Sequence, residues 1–288
     1  MSGIDTQLRR SLQATAEGGN RLILPRSFQG FPDLAHGGAV LAALDLMASP
    51  WVDRSIPRLI AARIQRSVPL ETPLSLTAVP SDPDVALTLE FEGRLLVNGT
   101  ISPATRALHP AWNGEGGVTG ASGFELPTSR GCLACGVENA SGLQVVLRFN
   151  EQWVWSEYQP REDYRTDDGS LATALFTVLL DETAWWLGAL TSGEAGMTTE
   201  IRVTLERPDH PFGGPLVALG RRDLVTRVDR KGHFWKTETG VLTAVGGRLA
   251  SAEIIFAASR VYSRSLIPTL LLTNSPESVR RIFPGYAT

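Results

Sequence analysis

Ala35-His36-Gly37-Gly38-Ala39-Val40-Leu41-Ala42-Ala43-Leu44-Asp45 is a polar turn that runs straight into a helix. Two glycines stand at the helix mouth, and Asp45 follows two turns later. At about 100° per residue, Gly38 and Asp45 face nearly the same side. A helix N-terminus offers unpaired N–H groups and a partial positive charge, and glycine lets a substrate oxygen come close to them. An oxyanion-binding mouth together with a carboxylate is the equipment of acyl transfer.

The spacing predicts a helix over Gly37–Ser49, stopped by Pro50. Before it come a polar leader over residues 1–20 and a short strand at 21–24. After it, strand-like runs at 58–67, 74–79, 85–91 and 94–101 are separated by turn residues. One long apolar helix followed by an antiparallel meander is an α+β arrangement. The stretch 106–130 is rich in Gly and Pro, lacks apolar periodicity and reads as a linker between an N-terminal unit (1–105) and a C-terminal unit (131–260), with a tail at 261–288.

The second half repeats the first. Strands are predicted at 142–149 and 154–159, a helix over 171–190, then strands at 198–205, 215–228, 233–238, 241–245 and 249–257. Leu44-Asp45 recurs as Leu180-Asp181, Pro69 as Pro208, and Pro73-Leu74 as Pro215-Leu216. Both helices are apolar all round, which marks buried helices. Asp45 is the one charge between Ala39 and Ala48, and Asp181-Glu182 follow ten uncharged residues. A carboxylate on a buried helix is costly unless it faces a partner or a wet cleft, so Asp45 and Asp181 are site candidates. The competing role for each is a loop cap or an arginine partner.

Hydrophobic residues make up 43% of the 288 and charged residues 20%, enough to bury a large core. A net charge of -3 gives no basic surplus for phosphate neutralisation, so nucleic acid is not expected as a partner. The apolar runs are too short or too interrupted to span a bilayer, and Met1–Arg10 lacks a signal-peptide core. With two cysteines, the chain is expected to be cytoplasmic. There is no G-x-S-x-G elbow, P-loop or G-x-G-x-x-G.

Three features resemble one family. They are His36-Gly37-Gly38 with Asp45; Cys132-Leu133-Ala134-Cys135-Gly136 continuing through Asn139 to Gly142-Leu143; and Leu179-Leu180-Asp181-Glu182 followed by Glu200–Pro208. In this order they are similar to the acyl-CoA thioesterases of the PaaI-like and 4-hydroxybenzoyl-CoA thioesterase type. That resemblance implies a tandem, or double, hotdog fold, each half a curved antiparallel sheet wrapped round a long apolar helix. It implies acyl-CoA as substrate, no cofactor, no metal and no membrane partner, and it leaves homodimerisation open.

In that family the helix mouth of one unit works with the acid of the other. Carried over, Gly37 and Gly38 pair with Asp181. The reciprocal mouth, Ala172-Thr173-Ala174 facing Asp45, lacks the histidine and both glycines, so one working site per chain is expected. Asp181 is the expected base or nucleophile, with Glu182 as the alternative acid because adjacent helical residues point about 100° apart. His36, Thr177 and Thr183 are expected substrate contacts, His36 also as the closing residue of its turn. Cys132 and Cys135 are assigned a structural role, since zinc needs four ligands and no second pair is visible in the spacing. Rival readings are a hotdog dehydratase or hydratase, and a non-catalytic binder of acyl-CoA or another acyl ligand.

Overall fold

The computed structural model describes residues 3–15, 19–104, 118 and 120–286. Its chain order is α1 (Ile4–Ser11), β1 (Leu12–Ala14), β2 (Asn20–Leu22), α2 (Gly37–Ala48), β3 (Arg58–Ile64), β4 (Leu74–Ser81), β5 (Asp84–Phe91) and β6 (Arg94–Pro103). The second half contributes β7 (Phe124–Glu125), β8 (Arg148–Phe149), β9 (Trp153–Tyr158), α3 (Thr173–Ser192), β10 (Gly196–Leu205), β11 (Leu216–Arg221), β12 (Thr226–Arg227), β13 (Phe234–Thr243) and β14 (Arg248–Ala258). Helices α4 (Arg260–Leu270) and α5 (Pro276–Ile282) close the chain.

The internal repeat is visible in the strand order. The four main strands of the first half lie as β4-β5-β6-β3, and those of the second as β11-β13-β14-β10. In each half the strand that follows the long helix reaches the junction, where β3 pairs antiparallel with β10, Ile60 opposite Val203. One continuous fourteen-stranded sheet results among the described residues.

The sheet packs on α2 and α3, whose side chains are buried nearly all round, as their uniform apolarity requires. The two helices pack side by side and antiparallel: Gly38 at the mouth of α2 meets Thr177 and Asp181, while Asp45 meets Thr173 at the mouth of α3. Close approach requires glycine at Gly38, where a Cβ would sit 2.5 Å from the Thr177 carbonyl oxygen. α3 ends at Gly193 in the left-handed region, φ 69°, the usual terminator without a Cβ penalty.

Several sequence expectations shift. The strand expected at 142–149 is an extended loop ending in the short β8, because its backbone bonds go to the cysteine turn: Leu143 N–H donates to Leu133 and Val145 N–H to Ala134. The runs 233–238 and 241–245 form one strand, β13, since Thr239 and Gly240 keep their ladder partners. The run 215–228 breaks after Arg221 into a helical turn and β12. The leader holds α1, which buries Ile4 and Leu8. In the linker, residues 105–117 and 119, including His109, lie outside the described residues. No described helix is long and apolar enough to cross a membrane.

Candidate active site

The mouth of α2 and the middle of α3 enclose a cavity of about 90 Å³. Its walls are mainly apolar and aromatic, with Phe31 set edge-on to Trp185 at 5.9 Å and Trp185 edge-on to Trp186 at 4.8 Å. Leu266 and Leu270 of α4 also line it, so the tail helps to build the site.

His36 is the N-cap of α2 and stands in extended backbone just before it. Its ring is buried and spans two carboxylates: Nδ1 lies 3.2 Å from Asp181 Oδ2, and Nε2 lies 3.3 Å from Glu182 Oε2. The Gly38 N–H points at the same corner, 3.0 Å from Asp181 Oδ2 and 3.1 Å from His36 Nδ1. With Nδ1 protonated, the ring donates to Asp181 and the Gly38 N–H goes to the carboxylate. The Thr198 hydroxyl, at the start of β10, donates to Asp181 Oδ1 at 2.7 Å. Glu182 turns the other way: Trp186 Nε1–H donates to its Oε1 at 3.0 Å, and Cys132 Sγ lies 3.8 Å from its Oε2.

These contacts split the ionisation of the two acids. Burial, opposed by His36, Thr198 and Gly38, raises Asp181 from the ordinary aspartate value. Burial acts on Glu182 too, but the hydrogen bond and charge of His36 outweigh it and lower that group. Burial alone would lower His36, yet Cys132, Glu182 and Asp181 together raise it well above an ordinary imidazole. Cys132 is lowered to about 7, chiefly by its hydrogen bond with Cys135, while Cys135 is pushed up by the same partner.

The structure brings His36, Gly37, Asp181 and Glu182 into one cavity, with Gly38 behind it and bonded to Asp181. It corrects four details. Both acids line the cavity, because Glu182 has the extra methylene to turn back towards His36. The Gly38 N–H is already engaged by Asp181, while Gly37 is first in α2, a position whose N–H has no intrahelical acceptor. Thr177 and Thr183 do not reach the cavity: each is fully buried and donates to a helical carbonyl, Thr177 to Gly38 and Thr183 to Leu179, both at 2.7 Å. Asp45 is remote from the cavity. Arg58 holds it through two bonds, Nε to Oδ1 at 2.6 Å and Nη2 to Oδ2 at 2.9 Å, joined by Arg54 and the Thr173 hydroxyl.

Sequence reasoning missed Thr198 and the cysteines as members of the site. Thr198 carries no local signal, being one of two adjacent threonines opening a strand. The cysteines did carry one, the C-x-x-C-G turn. What the sequence could not supply is the path of that turn to the α2 mouth, where Leu133 N–H donates to the Gln29 carbonyl and Asn139 Nδ2 to that of Ser27.

No protein-family model and no curated protein matches this sequence. Solved structures do resemble it. A putative thioesterase II from Thermobifida fusca YX superposes with a TM-score of 0.58 at 14% identity, over 88% of this chain and 99% of that one. A protein of unknown function with hot dog fold from Alicyclobacillus acidocaldarius gives 0.58 at 14%, over 86% and 95%. The dehydratase domain from the CurJ module of curacin polyketide synthase gives 0.54 at 9%, over 91% of each chain. Three proteins of different description share one arrangement of strands and helices with this chain, and that arrangement is the double hotdog fold.

Proposed function

We propose that the protein hydrolyses the thioester bond of an acyl-CoA at the α2 mouth. The observation that carries this reading is the Asp181 carboxylate, buried in an apolar cavity, raised by that burial, and held by the Gly38 N–H and the Thr198 hydroxyl. A carboxylate raised by burial is a stronger base, suited to take a proton from water or to attack an acyl carbon directly. The Gly37 N–H polarises the thioester carbonyl and receives the developing oxyanion. Thr198 fixes the orientation of the carboxylate. The aromatic wall takes the acyl chain, and coenzyme A extends towards solvent. The reading assigns one working site per chain, with the N half supplying the backbone donor and the C half supplying the acid. The thioesterase named among the structural neighbours agrees with it.

Dehydration of a β-hydroxyacyl thioester is the second reading. It is favoured by His36 and Asp181 meeting across the two halves, and dehydratase domains share the fold. It is disfavoured because both ring nitrogens of His36 are committed to carboxylates, leaving neither to act on a substrate carbon.

One experiment separates the readings. The full chain is incubated with short, long and aromatic acyl-CoAs and with a β-hydroxyacyl-CoA, and free CoA and enoyl-CoA are quantified by chromatography. Free CoA that vanishes in Asp181→Asn supports hydrolysis. Enoyl product without free CoA overturns it in favour of dehydration. Thermal stabilisation by acyl-CoA with no product of either kind overturns both in favour of a binding protein.

A further inference from the structure

Beside Asp181, three donor atoms from three distant stretches of chain converge. His36 Nε2 is 3.3 Å from Glu182 Oε2, Cys132 Sγ is 3.8 Å from the same oxygen, and all three atoms lie within 4.8 Å of one another. All three residues are buried. A tetrahedral zinc ion, with bonds of about 2.0–2.1 Å to nitrogen or oxygen and about 2.3 Å to sulfur, separates its N and O ligands by about 3.4 Å and its S and O ligands by about 3.6 Å. The two spacings to Glu182 Oε2 are close to the edges of that tetrahedron.

The turn that carries Cys132 is shaped for the same purpose. Ala134 N–H donates to Cys132 Sγ at 3.3 Å, and Gly136 N–H to the Cys132 carbonyl at 2.9 Å. Donation to sulfur favours the thiolate, the form that binds metal. Glycine is required after the second cysteine, because a Cβ on Gly136 would sit 2.2 Å from the Cys132 carbonyl oxygen. The turn therefore winds round the first sulfur, and the Cys135 thiol interacts with both Cys132 and Glu182. The supporting shell is also present. Asp181 Oδ2 lies 3.2 Å from His36 Nδ1, placed to accept its N–H when Nε2 is a ligand, and Trp186 occupies Glu182 Oε1, leaving Oε2 to face the other donors. Finally, among the described residues two carboxylates line this cavity and no lysine or arginine does, whereas Asp45 at the other mouth is offset by two arginines.

We propose that His36 Nε2, Cys132 Sγ and Glu182 Oε2 bind a zinc ion, with Cys135 Sγ turning in to complete four ligands. The C-x-x-C-G turn supplies one pair, and the fold supplies the second from two other segments. The ion replaces the thiol protons and any proton on Nε2, which are released on binding. It clamps the α2 mouth, the cysteine turn and α3 together, and leaves Asp181, Thr198 and the Gly37 N–H to the substrate.

The test is spectroscopic and needs no turnover. The full chain, stripped with chelator under reducing conditions, is titrated with Co²⁺. The expected result is one equivalent bound per chain, with tetrahedral visible bands and a thiolate-to-cobalt charge-transfer band in the near ultraviolet, both abolished by stoichiometric Zn²⁺. Cys132→Ser loses much of the charge-transfer band, and Glu182→Gln binds more weakly. Asp181→Asn keeps the bands but weakens affinity by about 10–100-fold, as loss of a supporting partner does. Absence of a charge-transfer band in the native sequence overturns the proposal whatever the variants do, and so does an undiminished band in a folded Cys132→Ser. Release of CoA from acyl-CoA is scored separately, so failure of the metal site and failure of the hydrolase reading are distinct outcomes.

Discussion

The two helix mouths of this chain occupy equivalent places in the repeat and have opposite contents. At the α2 mouth, His36, Gly37 and Gly38 leave room for close approach, and Asp181 arrives from the partner helix into an apolar cavity. At the α3 mouth the same positions hold Ala172, Thr173 and Ala174, and the partner carboxylate, Asp45, is gripped by Arg58 and Arg54. Arg58 is 1% exposed and its Nη1 also donates to the Arg54 carbonyl, so the guanidinium is fixed beside Asp45, at the edge of a polar cavity of about 230 Å³ lined by Asp5, Arg54, Arg58 and Thr173. Among the described residues, no arginine lines the cavity of one mouth and burial raises its acid; at the other, two arginines pair with the acid and lower it. In this chain, glycine against alanine and threonine at the mouth goes with an apolar cavity against a polar, arginine-lined one.

The strongest way to break this contrast is to remove each acid in turn. Asp181→Asn should lower turnover by about 10²–10⁴-fold while the chain stays folded, as loss of a catalytic base does. Asp45→Asn should leave the chemistry of surviving protein intact yet destabilise the fold by about 3–5 kcal/mol, because Arg58 is left buried and unpaired. Initial rates of CoA release and denaturant midpoints read the two effects. Equal loss of turnover in both variants would mean that both clefts work.

Exchanging the mouths' small residues comes next. Gly38→Ala places a methyl against the Thr177 backbone and should cost about 1–3 kcal/mol through overpacking, with turnover falling as Asp181 moves. Ala174→Gly, the reverse change at the other mouth, should cost about 1 kcal/mol of helix propensity and leave turnover alone. Below these lie the hydroxyls. Thr198→Val removes a bond to a charged group worth about 1.5–3 kcal/mol, which appears as a fall in kcat of about 10–100-fold if Asp181 is thereby misaimed. Thr173→Val removes the hydroxyl beside Asp45 and should move only the thermal midpoint.

Much of this contrast was legible in the sequence, and the reason is local. Helix mouths, apolar helices and the recurrence of Leu-Asp are features of contiguous residues, so the repeat, the loss of glycine at Thr173-Ala174 and the isolation of Asp45, Asp181 and Glu182 all stand in the string. What the string lacks is the pairing between stretches. Arg58 sits in a strand whose alternation is otherwise unremarkable, and only the approach of β3 to α2 shows it to be the partner of Asp45. Thr177 and Thr183 looked available because polar side chains on a buried helix invite a functional role, but threonine can satisfy itself on a carbonyl one turn back or on a neighbouring backbone. The helical angle makes Asp181 and Glu182 alternatives, which ignores the reach of the Glu182 side chain that lets both line the cavity. The cysteine turn was conspicuous, yet its place beside His36 depends on backbone bonds to Gln29 and Ser27 that no spacing rule anticipates.

The finest test of the contrast is the pH dependence of stability, where the two acids have opposite signs. Asp45 is fully buried; burial alone would raise it, but Arg58 and Arg54 hold it below the ordinary carboxylate value. Its contribution is present above the unfolded carboxylate pKa of about 3.9 and is lost as pH falls through the folded value, at about 1.4 kcal/mol for each unit between the two. Asp181 is raised, so the folded state binds its proton more tightly than the unfolded chain does. That contribution is complete below about pH 3.9 and is lost as pH rises through the folded value. Thermal midpoints measured with chelator present should therefore diverge. Asp45→Asn should be less stable than the parent at neutral pH, with the gap narrowing in acid. Asp181→Asn should be more stable than the parent at neutral pH, with that gain disappearing in acid as the parent's carboxyl takes up its proton and becomes, like asparagine, uncharged. A gain of stability in the first variant, or a loss in the second at neutral pH, would show that the division between an acid kept for chemistry and an acid spent on structure is drawn in the wrong place.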